Sequence, residues 1–596
     1  MLLQGSVFPL WDERKIGIAA KLVLKALNTT TGISLDALEK KWKEIGDLGE
    51  VAQAVVHKKK QTTLFSQTLT VDKVFMNIQK LAAFEGAGTV DLKLGLIAEL
   101  LGSATPVEGK YIIRTLLEDL RVGVGEGVLR ESVIWSSLPP LQGLFFKCHG
   151  CDAIMPRTSP CFVCGHEILT KFSSLEPKEG LKIKEPHELL HHNLSDVHWI
   201  FCNTEDEART VYDFISALVE HAYYLTNDFG GVLCILREKG LKGLAQVDIA
   251  LFNPIRLMLY EKAKDIPSAF EKVGKPAAFE YKYDGFRLEI HKKKDKIQLY
   301  TRNFEDVTEQ FPDVVAVVRK NVHADAVILD SETVGYNPKT TQYLPFQSIS
   351  QRIKRKHNIK ELAEQFPVEV NVFDVLYYKD KSTLGMPFHE RRALLSKIVH
   401  PVDRNIVLSR IMITDKDKEA EKFYHEALDK GNEGIMVKNL EAVYQPGKRV
   451  GFGVKVKPVM ESLDLVIVGA EWGTGKRATW LTSFTVACRD HEGTFLELGN
   501  VGTGIKELEG EGVTFAYLTQ LLTPLIVEDK GKTVVIKPMI VIEVHYEEIQ
   551  KSPGYSSGYA LRFPRFLRLR EDRGPSDCSM LEQVKQLYSE QRGGNR

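Results

Sequence analysis

The segment Lys282-Tyr-Asp-Gly-Phe-Arg287 follows an apolar stretch and sets a lysine, an acid, a glycine and an arginine close together. The glycine permits a turn, so the segment predicts one strand that ends near Lys282 and another that begins near Phe286. Lysine is ordinarily protonated at neutral pH, but nearby cations and partial burial make the amine a nucleophile. Surface strands that turn at a glycine carry the same pattern, so the interpretation needs support from the rest of the chain.

Further charged residues interrupt apolar strands downstream of this lysine. Residues two apart on a strand face the same way, which pairs Asp330 with Glu332 and Lys455 with Lys457. A charge buried in a sheet is costly unless it is paired, so these strands predict one shared polar site. Carboxylates would hold a divalent metal there, and basic residues would hold phosphates. The interrupting residues are Arg302, Asp330, Glu332, Asp374, Glu433, Lys455 and Lys457.

The 596 residues predict several domains, and the patterns divide the chain into three regions. Residues 1–250 are predicted to be helical, with Thr70 capping a helix over 71–81 and apolar periodicity continuing through Leu92 to Leu120. Residues 251–458 predict an α+β domain with antiparallel sheets, with strands at 286–290, 297–300, 327–329 and 370–375 and a helix at 418–428. Residues 459–596 predict a small β-barrel, with strands at 465–468, 484–487, 495–498 and 539–544 and a final helix at 580–591.

The overall charge gives no sign of a nucleic-acid partner, because 79 basic residues balance 79 acidic ones. Short basic runs at 58–60, 292–294 and 352–356 are solvated loops or, if they share a face, a phosphate-binding surface. No apolar stretch reaches the roughly 20 residues of a membrane span, and the first residues lack a signal-peptide pattern. The eight cysteines do not form a disulfide framework, so a reducing cytoplasm is expected.

Two Cys-x-x-Cys pairs, Cys148 with Cys151 and Cys161 with Cys164, fall within a predicted insert at about 140–200. Four thiolates at this spacing predict a tetrahedral zinc site, and Gly165 permits the tight turn after the second pair. Such a site has no open coordination position, so the zinc would be structural. The alternative is four ordinary thiols in a loop.

Two glycine-rich segments carry less information. The loop at 121–127 precedes a predicted helix and is either a phosphate-binding loop or a plain turn between helices. The segment Gly473-Thr-Gly-Lys-Arg477 lacks the upstream glycine and the serine or threonine of a phosphate loop, so a nucleotide site is rejected there.

The order and spacing of the charged motifs closely resemble the covalent nucleotidyltransferases, and the full set resembles the ATP-dependent DNA ligases of the archaeal replicative type. The segments 115–129, 224–229 and 562–572 also resemble that family, so the likeness covers nearly all of the chain except about 135–215. Three features depart from the family pattern: Arg256-Leu-Met-Leu259 at the entry to the catalytic domain, Gly453 in place of a tryptophan, and the cysteine insert.

The resemblance implies that Lys282 attacks the α-phosphate of ATP and forms a lysyl-AMP. It implies that Glu280 recognises the base, that Phe373 stacks on adenine, that Glu332 contacts the ribose or the metal, and that Glu433 binds Mg²⁺, with Mn²⁺ as a substitute. The other implied nucleotide contacts are basic: Arg287, Arg302, Arg449, Lys455, Lys457 and Arg562.

The resemblance also implies partners. Nicked duplex DNA would be the substrate, held by a helical DNA-binding domain, a nucleotidyltransferase domain and a C-terminal OB-fold. The segment with Gln61, Leu64 and Phe65 would bind a sliding clamp (PCNA), although a linker with exposed apolar residues has the same composition. A monomer in the cytoplasm, associated with the nucleoid and not with a membrane, is expected. The sequence leaves open the use of ADP or NAD.

Two rival functions remain at this stage. A messenger-RNA capping enzyme or an RNA ligase shares the lysine motif, but the helical N-terminal region argues against both, and use of GTP would favour capping. A DNA-binding scaffold without activity is a rival of another class. Its weakness is that a scaffold has no reason to bury Lys282, Glu332, Glu433 and Lys455.

Overall fold

The computed structural model describes residues 2–590 except 9–11, 13, 15, 59–67, 85–87, 123, 157–159, 173–179, 345, 347–348, 350–351, 354–357, 459–461, 474–476, 509 and 511. Side chains 4, 43, 58, 449 and 450 are also outside the description. The chain forms two compact units. The first comprises Met1–Glu261, Gly285–Ser409 and Leu440–Gly451, and the second comprises Lys262–Asp284, Arg410–Asn439 and Phe452–Arg596.

Helices dominate the first part of the first unit. Thr70 accepts a hydrogen bond from the Lys73 N–H, which confirms the predicted cap. The apolar periodicity predicted through Leu120 extends past the last helix of this stretch, which ends at Leu116, and Glu118 just beyond it adopts a left-handed conformation (φ 55°). The helices are α1 (Ala20–Thr31), α2 (Leu35–Ile45), α3 (Leu48–Val55), α4 (Val71–Ala82), α5 (Val90–Ser103), α6 (Pro106–Leu116), α7 (Glu126–Ser137), α8 (Glu205–Thr226) and α9 (Phe229–Ala245).

Short strands lie between α7 and α8 in the cysteine insert. They are β1 (Phe146–Cys148), β2 (Ile154–Met155), β3 (Leu169–Lys171), β4 (Leu181–Lys182) and β5 (Ile200–Phe201). The first three form a sheet in the order β2-β1-β3. Leu141 bridges Ile200, and the Ile200 N–H donates to the Pro140 carbonyl at 3.0 Å. The segment between these bridged residues therefore starts and ends at the same place.

A six-stranded sheet forms the remainder of the first unit. Two strands come before it in the chain, β6 (Leu259–Ala263) and β7 (Ala277–Lys282). The sheet strands are β8 (Phe286–Lys293), β9 (Lys296–Thr301), β10 (Ala326–Gly335), β11 (Val368–Tyr378), β12 (Lys381–Ser382) and β13 (Ile406–Leu408). Their order is β12-β11-β10-β8-β9, with β13 parallel to β11. The helices that follow α9 in the chain are α10 (Ile266–Val273), which belongs to the second unit, and α11 (Pro312–Asn321), α12 (Ile359–Gln365) and α13 (Phe388–Ile398), which belong to the first.

A five-stranded sheet runs in the order β14-β7-β15-β16-β6, and its strands β14, β7 and β15 lie wholly in the second unit. Its further elements are β14 (Ile411–Thr414), α14 (Asp417–Asp429), β15 (Gly434–Asn439) and β16 (Arg449–Val456). One sheet face is apolar and packs on helices: Phe279 lies 5.2 Å from Phe270 of α10, and Tyr281 lies 4.9 Å from Phe423 of α14 between ring centroids. Alternation along the strands sends the polar side chains to the other face.

A seven-stranded sheet forms the C-terminal part of the second unit. It runs β19-β18-β17-β21-β20, and β22 pairs with both β17 and β25, while β23 and β24 form a separate pair. Its elements are β17 (Leu463–Trp472), β18 (Leu481–Arg489), β19 (Phe495–Val501), α15 (Phe515–Leu522), β20 (Ile526–Asp529), β21 (Thr533–Ile536), β22 (Val541–His545), β23 (Glu548–Lys551), β24 (Tyr559–Arg562), β25 (Arg565–Leu569) and α16 (Leu581–Glu590). Buried Phe484, Leu518 and Tyr546 belong to its core.

The strands and helices predicted in the second and third regions are confirmed, with shifted bounds. The predicted strand at 539–544 begins only at Val541, and the final helix spans Leu581–Glu590. Among the described residues, each helix is too short or too polar to cross a lipid bilayer.

Candidate active site

The register of three strands places the charged residues of the second unit on one face. Lys282 of β7 lies opposite Gly434 of β15, and Glu280 lies opposite Met436, which in turn faces Lys455 of β16. Directly opposed residues and residues two apart share a face of a sheet. Lys282, Glu280 and Lys455 therefore all project from the face that the helices leave uncovered.

Glu433 joins two lysines at the centre of this face. Its Oε2 lies 2.6 Å from Lys282 Nζ and 2.6 Å from Lys457 Nζ, and Lys457 Nζ also reaches Glu547 Oε2 at 3.2 Å. Burial alone would raise the pKa of Glu433, but the charges of Lys282 and Lys457 outweigh burial and hold that pKa far below its usual value. The predicted nucleophile thus contacts a carboxylate that it shares with a second lysine.

Gly434 makes this approach of β7, β15 and β16 possible. Its φ is 143°, and a Cβ at this position would lie 2.2 Å from the Val456 carbonyl oxygen. The Glu433 N–H donates to the Lys282 carbonyl at 2.8 Å, which fixes the carboxylate beside the lysine. Only glycine meets both the backbone and the steric requirement.

A second ion pair lies on the same face. Lys438 Nζ is 2.5 Å from Glu280 Oε2, and the two side chains are 5% and 2% exposed. Lys438 lies on β15, five residues after Glu433, and no role was predicted for it. The strand alternation that grouped Lys455 with Lys457 also puts Lys438 on the face of Gly434 and Met436, so the signal was available.

Arg562, predicted to contact phosphate, lies among acids in the second unit. It faces Glu548 in the β23–β24 pair, and its Nη1 is 3.0 Å from Glu548 Oε2 and 3.6 Å from Asp284 Oδ1. Burial would lower the pKa of Arg562, but the bond to Glu548 and the charge of Asp284 raise it. Sequence reasoning missed Glu548, because cross-strand pairing depends on a register that spacing alone does not give.

Arg287, on β8 of the first unit, forms a bidentate pair with Asp330. The two nitrogen–oxygen distances are 2.9 and 2.6 Å, and a third bond at 2.7 Å goes to the Met258 carbonyl. Tyr444 donates to the same Asp330 carboxylate at 2.9 Å, a contact that no sequence motif indicated. The guanidinium carbon of Arg287 also lies 5.6 Å from the centroid of the Phe373 ring. Arg287 is therefore fixed on three sides.

The remaining predicted residues are less enclosed. Glu332 lies opposite Arg287 in the β8–β10 pair, and Phe373 is half-buried on β11. Arg302 is exposed just after β9. The backbone of Arg449 belongs to β16, but its side chain is outside the described residues. The predicted clamp-binding residues Gln61, Leu64 and Phe65 also lie outside the described residues.

The four insert cysteines converge in the first unit. Their Sγ atoms all lie within 4.8 Å of one another, and the closest pairs, Cys148 with Cys164 and Cys151 with Cys161, are 3.6 Å apart. All four are free thiols. The N–H groups of Gly150 and Val163 donate to Cys148 and Cys161 Sγ at 3.3 and 3.4 Å. Burial would raise the pKa of Cys161, but backbone donors and neighbouring thiols lower it to about 6.

Three families match the chain in series. The DNA ligase N terminus matches residues 1–133, the ATP dependent DNA ligase domain matches residues 257–457, and the ATP dependent DNA ligase C terminal region matches residues 477–573. The cysteine cluster lies between the first two ranges. The matched domains and the lysine-bearing sheet define a nucleotidyltransferase built in three parts.

Named relatives match along the whole chain. The DNA ligase of Nanoarchaeum equitans is 44% identical over 597 residues, which cover 100% of this chain and 92% of that protein. The DNA ligase of Thermococcus fumicolans is 39% identical over 592 residues, covering 98% of this chain and 90% of that protein. The DNA ligase of Archaeoglobus fulgidus is 36% identical over 589 residues, covering 99% and 91%. The chain belongs to the family of ATP-dependent DNA ligases.

Proposed function

We propose that this DNA ligase seals nicks in duplex DNA in three phosphoryl-group transfers that begin at Lys282. The proposal rests on the meeting of Lys282, Glu433 and Lys457 on one sheet face. Lys282 Nζ and Lys457 Nζ each lie 2.6 Å from Glu433 Oε2. A lysine that is partly buried, oriented by an acid and placed near another cation is suited to nucleophilic attack on phosphorus.

Each of the three steps forms one bond to phosphorus and breaks another. The neutral amine of Lys282, after losing its ammonium proton, attacks the α-phosphorus of ATP, so a nitrogen–phosphorus bond forms and pyrophosphate leaves. The 5′-phosphate of the nick then attacks the same phosphorus, and Lys282 leaves as an amine. Finally the 3′-hydroxyl attacks the 5′-phosphorus, and AMP departs with the pair of electrons from the broken bond. Positioning and charge stabilisation supply most of the rate enhancement.

The chain's own residues divide this work. Lys455, Lys457, Arg449 and Arg562 would neutralise phosphate oxygens, and Arg287, Arg302 and Glu332 would hold the ribose and α-phosphate. Phe373 would stack on adenine, and Glu280 would read its edge. Glu433 and Glu332 offer the carboxylate oxygens that Mg²⁺ prefers. When bound, Mg²⁺ (or Mn²⁺) would neutralise phosphate charge.

Each predicted domain has its own proposed role in binding the substrates. We propose that residues 1–250 bind DNA, that 251–458 are the nucleotidyltransferase domain and that 459–596 form an OB-fold. Contacts to the sugar–phosphate backbone suit an enzyme that must work at any sequence. We further propose that Gln61, Leu64 and Phe65 bind a sliding clamp, that the protein acts as a monomer in the cytoplasm, and that it serves replication, repair and recombination.

Labelling tests the proposal directly. Wild-type protein and a Lys282→Ala variant are incubated with Mg²⁺ and α-labelled ATP or GTP and then chased with nicked duplex DNA. Label from ATP that is lost in the variant and discharged as the nick closes is the expected result. Label from GTP alone would point to a capping enzyme. No label from either nucleotide, on protein whose mass shows no prior adenylylation, would contradict the assignment of Lys282.

We also propose that the four cysteines hold one structural Zn²⁺. The donor set fits zinc because four thiolates fill a tetrahedron, and N–H donors to sulfur orient two of them. The sheet β2-β1-β3 has a small apolar core of its own, made by Cys148, Met155 and Cys161. Metal content of the purified protein, at one zinc per chain, is the test. Protein that folds with no bound zinc would contradict it.

A further inference from the structure

The buried pair of Lys438 and Glu280 has no part in the chemistry at the nucleophile. Its 2.5 Å contact joins two side chains that are almost fully buried, at 5% and 2% exposed. A buried ion pair is weak evidence for stability, because desolvation offsets much of the attraction. Stability alone therefore does not account for this ion pair on the polar face of the site.

The strand geometry places this pair beside the nucleophile. Glu280 precedes Lys282 by two residues on β7, so both side chains project from the same face about 7 Å apart along the strand. Lys438 lies opposite Ala278, the next position on that face, and its ammonium reaches diagonally to Glu280. The order along the face is therefore Lys282, Glu280, Lys438.

We propose that Lys438 is a positioning residue that holds Glu280 as a hydrogen-bond acceptor and thereby selects adenine over guanine. The inference rests on the proposed function, in which Glu280 reads the base of the nucleotide that Lys282 attacks. An ionised carboxylate only accepts hydrogen bonds, and the exocyclic 6-amino group of adenine donates them. Guanine presents a carbonyl oxygen at that position. This oxygen and the carboxylate both accept hydrogen bonds, so no hydrogen bond forms between them.

The positive charge of Lys438 compensates the buried carboxylate of Glu280. A buried carboxylate that loses its ammonium neutralises by taking up a proton. The protonated acid then carries one O–H donor, which the guanine 6-oxygen can accept. Removing the lysine thus converts a site that rejects guanine into one that tolerates it. Sites built on such hydrogen bonds discriminate strongly, because the wrong ligand leaves buried polar groups without partners.

Equilibrium binding separates this role from catalysis. ATP and GTP are titrated by calorimetry into the Lys282→Ala protein, which cannot react, with and without Lys438→Met. We expect the ratio of ATP to GTP affinity to fall at least about tenfold on loss of Lys438, equivalent to about 1.4 kcal/mol. Labelling from α-labelled ATP and GTP on the Lys282 background should shift by a similar factor.

Three variants complete the test. Lys438→Arg keeps the positive charge and should restore most of the discrimination. Glu280→Gln, whose amide both donates and accepts, should lose discrimination whether or not Lys438 is present. Lys275→Met removes an exposed lysine that pairs with Asp417 at 3.0 Å and should change nothing.

The outcomes distinguish the inference from the proposed function. If Lys438→Met keeps the wild-type ratio of ATP to GTP affinity, or if Lys438→Arg loses as much discrimination as Lys438→Met, the selection role of the Lys438 charge is wrong while the ligase assignment stands. If wild-type protein takes no label from ATP, the proposed chemistry at Lys282 fails, and the inference fails with it.

Discussion

Glu433 has two lysine partners, and one of them is shared with a second carboxylate. Lys282 and Lys457 both approach Glu433 Oε2 at 2.6 Å, and Lys457 also contacts Glu547 at 3.2 Å. The two lysines are therefore balanced by two carboxylates, and polyphosphate oxygens would compete with these carboxylates for the lysines. Glu433 thus orients Lys282 while it also contacts Lys457.

Replacing this carboxylate should destabilise the protein in a pH-dependent way. Glu433→Gln leaves two lysines facing a neutral amide, and we expect a loss of about 3 kcal/mol at neutral pH. The folded-state pKa of Glu433 is lowered from 4.5, so its contribution is fully present above that pH and is lost as pH falls further. Urea unfolding at neutral and acidic pH measures the difference, and exposed Glu492→Gln is the control. A difference independent of pH would contradict the assignment.

The partner of Arg562 gives a second prediction at this scale. Glu548 holds the guanidinium at 3.0 Å, and we expect Glu548→Gln to slow adenylylation of Lys282 about tenfold, because a mispositioned Arg562 holds phosphate poorly. Sealing of a nick that is already adenylylated needs no pyrophosphate release and should change less. Label incorporation and sealing of the pre-adenylylated nick are compared, with exposed Glu528→Gln as the control. Equal loss in both assays would refute the positioning role.

Sequence patterns located the reactive residues better than their partners. Lys282, Glu433 and Lys457 were grouped because each is a charge within an apolar strand, and the structure brings them together. Glu548 and Tyr444 were missed, because their contacts to Arg562 and Asp330 join distant segments and no local period marks them. The physical limit is register: alternation tells which face a side chain takes, but not which residue lies across from it.

At the scale of elements, the glycine at the start of β15 controls the site. Gly434→Ala would place a Cβ 2.2 Å from the Val456 carbonyl oxygen at a φ of 143°. We expect a loss of stability of about 3 kcal/mol and almost no labelling of Lys282. Gly451→Ala, on neighbouring β16 with nothing within 4 Å of its Cβ, should remain close to wild type. Thermal unfolding and label incorporation measure both variants, and an active Gly434→Ala protein would contradict this reading of the strand junction.

The sheet of the cysteine insert should depend on metal. Its apolar core is small, so zinc removal is expected to loosen residues 146–171 while the rest of the chain stays folded. Cys151→Ser with Cys164→Ser should abolish zinc binding and open this segment to limited proteolysis. Exposed Cys234→Ser on α9 is the matched control. Unchanged proteolysis in zinc-free protein would show that the metal does not hold the segment.

The boundaries of elements were less predictable than their existence. The Thr70 cap fixed the start of α4 correctly, because a side-chain acceptor at that position is a local signal. The end of α6 was missed, because the left-handed residue there is Glu118 and not the glycine that usually marks such a turn; the Asp119 N–H donates back to the Arg114 carbonyl. The domain bounds 1–250, 251–458 and 459–596 remain predictions.

At the scale of the whole molecule, a formal net charge of zero means that DNA binding must come from local basic surfaces. We expect the affinity for nicked duplex to fall linearly with salt on a double-logarithmic plot, with the same slope for unrelated sequences. Fluorescence anisotropy on two nicked duplexes of different base composition measures this. A slope or affinity that depends strongly on base sequence would contradict backbone-directed binding.

The bridge between Leu141 and Ile200 brings the two ends of the cysteine insert together, but the chain between them is not an independent attachment. Phe145 and Leu189 of the insert are buried in the hydrophobic core that α7, α8 and α9 share. Removing the whole segment would therefore leave a cavity in that core, even though the two ends already meet. For the experimenter, a fluorescent reporter belongs in an exposed turn of the cysteine sheet and not at the buried base of the insert.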